Sequence, residues 1–197
     1  GSGMLLYPEE LNRFLDEIYQ KTDVPVSVKT RIGFHDLEEW PRILEIYSHY
    51  PIHELIIHPR LRRELYSGFP HFDAYSQAYQ QQESGKSKRR TNNLEQRFLP
   101  EALCYNGDIW DIGQYQDILR RFPETDTIMI GRGLLARPDL ACQIKGISFP
   151  DTRDRLRAFV DEIYEGYQEL FHSEKDTAMH MKEIWTHLGR SFQDSGR

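Results

Sequence analysis

Cysteine is scarce in this chain of 197 residues: Cys104 and Cys142 are the only two, and they have neither metal-ligand spacing nor a disulfide-dense setting. Both are therefore read as buried thiols, and no metal site is expected. Long apolar runs are absent too, since none approaches the roughly 18 residues of a membrane span, so no transmembrane segment is expected. The opening "GSGMLLYPEEL" lacks a basic stretch followed by an apolar one. That excludes a secretory signal there and gives a cytoplasmic reading. Positive charge is also short: 25 Lys and Arg against 31 Asp and Glu leave a formal net charge of −6, which argues against a surface coated for general nucleic-acid binding. Local basic clusters remain, "HPRLRR" at 58–63 and "KSKRR" at 86–90.

What is present is an ordinary globular composition, 39% hydrophobic and 28% charged, in a length that suits one domain or one domain with an appendage. After Pro8, a favoured first helical residue, Leu11, Phe14, Leu15 and Ile18 recur at helical spacing. The period then changes. "VPVSVKT" at 24–30, "ELIIHP" at 54–59, "ALCYNG" at 102–107 and "TIMIG" at 127–131 are short apolar runs bounded by turn residues, and each reads as a strand. "DLEEWPRILEIYSHY", "FDAYSQAYQQQ", "DIGQYQDILRRF" and "PDLACQIKG" alternate with them as helices. Such alternation predicts parallel strands joined by right-handed crossovers, in an open sheet or in part of a barrel. Residues 80–97 lack apolar periodicity and are expected as a flexible insertion. Beyond Pro150 a helical stripe runs through Leu156, Phe159, Val160, Ile163, Tyr164, Tyr167, Leu170 and Phe171. A second helix near Asp176 carries Met181, Ile184, Trp185 and Leu188, so a small all-helical appendage is expected.

Parallel α/β folds gather their chemistry at the carboxyl ends of the strands. The residues there are Lys29, His58, Asn106-Gly107-Asp108 and Gly131-Arg132-Gly133. A lysine closing an apolar strand must keep its ammonium hydrated or paired, and an anionic ligand is one such partner. His58 brings an imidazole that can hydrogen-bond a ring. Arg60, Arg62 and Arg63 beside it are forks suited to phosphate. Strands that stop at Asn-Gly-Asp and Gly-Arg-Gly present backbone N–H groups with little side-chain bulk, which suits a phosphate.

In order and local sequence, "VPVSVKTRIG", "LIIHPRLRRELYSG", "CYNGDIWDIGQYQDIL" and "TIMIGRGLLARPDL" resemble the last four strand-end motifs of the tRNA-dihydrouridine synthases. The resemblance implies four βα units, the C-terminal half of a TIM barrel, over 1–149, followed by a helical tRNA-binding domain over 150–197. It implies a flavoprotein oxidoreductase of tRNA processing, in which NADPH reduces FMN and hydride then passes to C6 of a uridine. Lys29 and His58 would lie near the flavin, and Asn106, Gly107, Asp108, Gly131 and Arg132 would hold its ribityl-phosphate end. Arg60, Arg62 and Arg63 would line a groove for tRNA.

The pattern departs from the family in one chemical respect. The Asn-x-Gly-Cys-Pro loop whose cysteine protonates the uracil ring is not in this sequence, and neither Cys104 nor Cys142 takes its place. No catalytic residue is therefore assigned. The chain is expected to be a fragment, truncated at both ends and inactive alone, which needs the other barrel half or self-associates through exposed sheet edges. Two rival readings are an FMN barrel oxidoreductase acting on a small molecule and a flavin-free fragment that binds RNA or a partner.

Overall fold

The computed structural model describes residues 2–89, 100–148 and 152–193. The chain divides into two compact units, one formed by residues 1–107 with 119–129 and the other by 108–118 with 130–197.

The first unit is built on a four-stranded parallel sheet, β1 (Ser27–Arg31), β2 (Glu54–His58), β3 (Ala102–Tyr105) and β4 (Thr127–Ile128), in that spatial order. β1 starts at Ser27 rather than Val24, because Pro25 has no N–H for the ladder. Its helices are α1 (Pro8–Lys21), α2 (Trp40–Tyr47) and α3 (Phe72–Arg89), and α4 (Ile112–Arg121) follows β3. Short crossovers carrying helices leave parallel pairing as the available arrangement.

Register decides which residues share a side. Val28, Leu55 and Leu103 are aligned across the sheet, as are Thr30, Ile57 and Tyr105. This side carries the helices: the Tyr47 hydroxyl of α2 donates to Thr30 Oγ1 at 2.9 Å, and Tyr75 of α3 meets Tyr105 edge-on at 5.1 Å. Leu55, Ile57, Leu103, Tyr75 and Tyr105 are buried there. Burial raises the Tyr47 hydroxyl to about 12, so it remains a protonated donor at neutral pH. Trp40 Nε1 donates to the Ala74 carbonyl at 2.8 Å and joins α2 to α3. α1 is held by Tyr50, whose hydroxyl reaches the Asn12 carbonyl at 2.7 Å and Asp16 Oδ1 at 2.9 Å.

The expected loop over 80–97 is corrected in its first part, since α3 continues through Arg89. Gln, Glu, Lys and Arg are good helix formers, and a helix can extend past the turns that carry its apolar stripe. Residues 90–97 lie outside the described residues.

The second unit contains α5 (Arg132–Ala136), α6 (Leu140–Ile144), α7 (Thr152–Phe171), α8 (Glu174–Leu188) and α9 (Arg190–Gln193). α8 packs against both α7 and α5, so the helices of the tail share a compact unit with residues 130–148. The division expected at 149/150 is thus not where the compact units part. The predicted stripe on α7 is present as a half-buried row of Leu156, Phe159, Val160, Ile163, Tyr167 and Phe171, while Tyr164 and Leu170 are exposed. α8 begins where the Ser173 side chain accepts from the Asp176 N–H, and it buries Met181, Ile184 and Leu188. Trp185, expected in that stripe, instead stands 48% exposed. It borders an open groove of about 800 Å³ between α7 and α8, with Val160, Tyr164, Met181 and Lys182. Among the described residues no helix is long and apolar enough to cross a membrane.

Candidate functional site

In the first unit the side of the sheet away from α2 and α3 carries polar residues. Lys29 aligns with Ile56 and Cys104, Arg31 with His58, and Ser27 with Glu54. The period of two in a strand places Lys29 and Arg31 on one side, with Thr30 opposite. Lys29 reaches solvent, yet partial burial and then the Arg31 cation lower its pKa from the usual lysine value. On the same side the Thr127 hydroxyl donates to Glu54 Oε1 at 2.6 Å. Cys104 is buried within β3, and burial pushes its thiol pKa up. Such a thiol stays protonated at neutral pH.

His58 closes β2, is 7% exposed, and lies 6.0 Å from the Tyr66 ring in a stacked arrangement. Tyr66 belongs to the segment 59–71, which its own side chains make rigid. Arg60 is completely buried, and its guanidinium donates to the carbonyls of Ser67 and, at 2.9 Å, Gly68. Glu64 accepts from the Leu61 N–H at 2.8 Å and meets His71 Nε2 at 2.7 Å. Arg31 donates to the Leu61 carbonyl at 2.7 Å and sits over the Tyr66 ring at 5.6 Å. Sequence reasoning missed Arg31, although its position two residues after Lys29 places it on the same side of β1.

The turn after β3 is tight for a specific reason. A Cβ on Gly107 would lie 2.0 Å from the Tyr105 hydroxyl and 2.4 Å from its Cζ, and Tyr105 is fully buried between Phe72 and Tyr75. The ring has no room to yield, so the position requires glycine. Asn106 donates through Nδ2 to the Met129 carbonyl at 2.8 Å, which ties the end of β3 to the segment after β4.

The second unit contains the other half of the predicted set. Gly131 precedes α5, and no atom would meet a Cβ there within 4 Å. A Cβ on Gly133 would fall 1.9 Å from the Ile109 carbonyl oxygen, so the Gly-Arg-Gly turn is pressed against the segment after Asp108. Arg132 is fixed between them: Nη2 donates to Asp108 Oδ1 at 2.5 Å, and its guanidinium lies over the Trp110 ring at 5.2 Å. Both partners of that ion pair are 22% exposed, so it is partly shielded from water. Sequence reasoning also missed Trp110, whose only signal is its place two residues beyond Asp108.

The predicted residues therefore form two groups, each described within its own unit: Lys29, His58, Asn106 and Gly107 in one, and Asp108, Gly131 and Arg132 in the other. The expectation for Arg60 is corrected. A cation with no exposed surface cannot line a groove for RNA, because its forks already serve the 59–71 segment. Arg63 is exposed and pairs with Asp36 at 3.6 Å, and Arg62 is half-buried. The expectation that both cysteines are buried holds for Cys104, whereas Cys142 is only half-buried on α6.

Parallel α/β folds carry their ligand sites at the carboxyl ends of the strands, and the first unit has polar groups at those ends of β1, β2 and β3. The family model for dihydrouridine synthase (Dus) matches residues 1–196, and the chain belongs to that family. It is 31% identical over 139 residues to a probable tRNA-dihydrouridine synthase of Staphylococcus epidermidis, covering 70% of this chain and 38% of that protein. A probable tRNA-dihydrouridine synthase of Staphylococcus aureus matches at 31% over 142 residues, with the same coverage. One from Rhizobium leguminosarum bv. phaseoli is 26% identical over 192 residues, covering 96% of this chain and 53% of that protein. The chain thus spans between about two fifths and about half the length of these curated relatives.

Proposed function

We propose that this chain supplies the FMN-binding strand ends of a tRNA-dihydrouridine synthase, an oxidoreductase that reduces uridine to 5,6-dihydrouridine in tRNA with NADPH as reductant. The observation that carries the reading is the Asp108–Arg132 pair at 2.5 Å, set at the Gly131-Arg132-Gly133 turn. It fixes a guanidinium next to Gly131, which is exposed and where a Cβ would meet no atom within 4 Å. Such a donor set suits a phosphate ester.

The residues also suit the rest of FMN. Lys29 and His58 carry N–H groups for the flavin ring, and Asn106 and Asp108 pair a donor with an acceptor, as ribityl hydroxyls require. When bound, FMN supplies the hydride that the uracil ring receives. Lys29, its pKa lowered by partial burial and then by Arg31, brings Nζ–H donors that can stabilise negative charge on a neighbouring ring. Arg62, Arg63 and the groove bordered by Tyr164, Lys182 and Trp185 are the surfaces proposed for tRNA.

The proton that must reach C5 of the base has no donor among these residues. Cys104 is buried with a raised pKa, and Cys142 lies on a short helix. Incubation of the purified chain with FMN, NADPH and unmodified tRNA is expected to give flavin binding without dihydrouridine in a nucleoside digest. Dihydrouridine formation would overturn the assignment of the proton donor elsewhere. Failure of the folded chain to bind flavin would overturn the function and favour a flavin-free RNA-binding role, the reading that the absent cysteine loop supports.

A further inference from the structure

Trp110 carries a second guanidinium. Arg190, at the start of α9, lies over the same indole ring at 4.3 Å, against 5.2 Å for Arg132. Two cations are thus held at one ring, and the charges around them are unequal. Arg132 is paired with Asp108, but among the described residues no carboxylate pairs with Arg190, whose partner is the ring. His187 stands nearby on α8, and its pKa is lowered by burial and then by Arg132 and Arg190, while Glu183 acts weakly in the opposite sense. Arg190 is exposed to solvent, and residues 194–197 that follow it lie outside the described residues.

Two guanidinium groups at one ring offer an anion two planar forks of donors, which suit phosphate oxygens. Cation–π contact with indole holds a guanidinium but is weaker than a phosphate between two forks. We propose that Arg190 is a second arginine ligand for a phosphomonoester bound at the Gly131-Arg132 turn, with Trp110 as the positioning residue that orients both guanidinium groups. The proposal rests on the FMN reading above and goes beyond it, because it assigns phosphate binding to a residue of the helical tail. It also gives a reason for the tail to share a compact unit with residues 130–148: the two segments hold one anion together.

The test compares FMN with riboflavin, which lacks only the phosphate, by flavin fluorescence titration of the purified chain and its variants. Arg190→Gln keeps a planar end for the indole and removes the charge; Arg190→Ala removes both, and thermal melts verify folding of each. Arg190→Gln is expected to weaken FMN binding about tenfold and leave riboflavin within about twofold. Trp110→Leu is expected to lower FMN affinity at least as much, by releasing both arginines. Equal FMN affinity in the parent and Arg190→Gln would overturn the proposal, as would an equal loss of both flavins. A parent that prefers FMN, with the preference erased by Arg132→Ala but not by Arg190→Gln, overturns this inference and leaves the proposed function standing. A folded parent that binds neither flavin overturns both.

Discussion

The two sides of the four-stranded sheet share one ladder and differ in what they require. Val28, Thr30, Leu55, Ile57, Leu103 and Tyr105 face α2 and α3, and their partners are supplied within the first unit. Lys29, Arg31, Glu54 and His58 occupy the opposite side, where cations and a carboxylate stand on a surface that a simple core would fill with apolar groups. Packing explains the first side. On the proposed function the second serves a ligand that needs hydrogen-bond donors, and stability and binding should then respond to different substitutions.

The largest separation is expected between neighbouring strand positions. Ile57→Ala, on the helix side, should cost about 2–5 kcal/mol in a urea melt through lost burial and a cavity. Lys29→Ala, on the other side, should change stability by less than about 0.5 kcal/mol. If both cost the same, the two sides are not functionally distinct. Arg60→Ala is next, at roughly 2–4 kcal/mol, because it leaves the Ser67 and Gly68 carbonyls without their donor. Arg62→Ala should be nearly neutral in the same melt.

Glu39 gives a smaller, pH-dependent effect. Its burial would raise the pKa, but N–H groups of Phe34, His35 and Asp36 donate to its carboxylate and hold the pKa below the usual value. A carboxylate depressed in the folded state stabilises above its unfolded pKa of about 4.3 and loses that contribution as pH falls through the lower folded value. Glu39→Gln should cost about 1–2 kcal/mol at pH 7 and progressively less towards pH 3. A constant difference across that range would contradict the assignment. The smallest effect is expected for Arg63→Ala, below about 0.5 kcal/mol, since its 3.6 Å pair with Asp36 is exposed.

Much of this arrangement was legible in the sequence because it depends on local periods. Short apolar runs bounded by turn residues marked four strands, and polar residues at their ends marked Lys29, His58, Asn106 and Arg132. Long-range partners were hidden. Nothing in "HPRLRR" says that Arg60 turns inward while Arg63 faces solvent, because that depends on carbonyls seven and eight residues further on. Trp110 and Arg190 lie 80 positions apart, and only the folded tail brings them together. The helix over 80–89 escaped because propensity, not apolar spacing, extends it.

The central claim is that the strand ends of this chain hold FMN. Titration of the purified chain with FMN, followed by flavin fluorescence, tests it most directly when repeated on Lys29→Ala and Arg132→Ala with folding verified by circular dichroism. The account predicts saturable binding weakened about tenfold or more by each substitution. A folded chain that leaves flavin fluorescence unchanged, or binding indifferent to both substitutions, would contradict it.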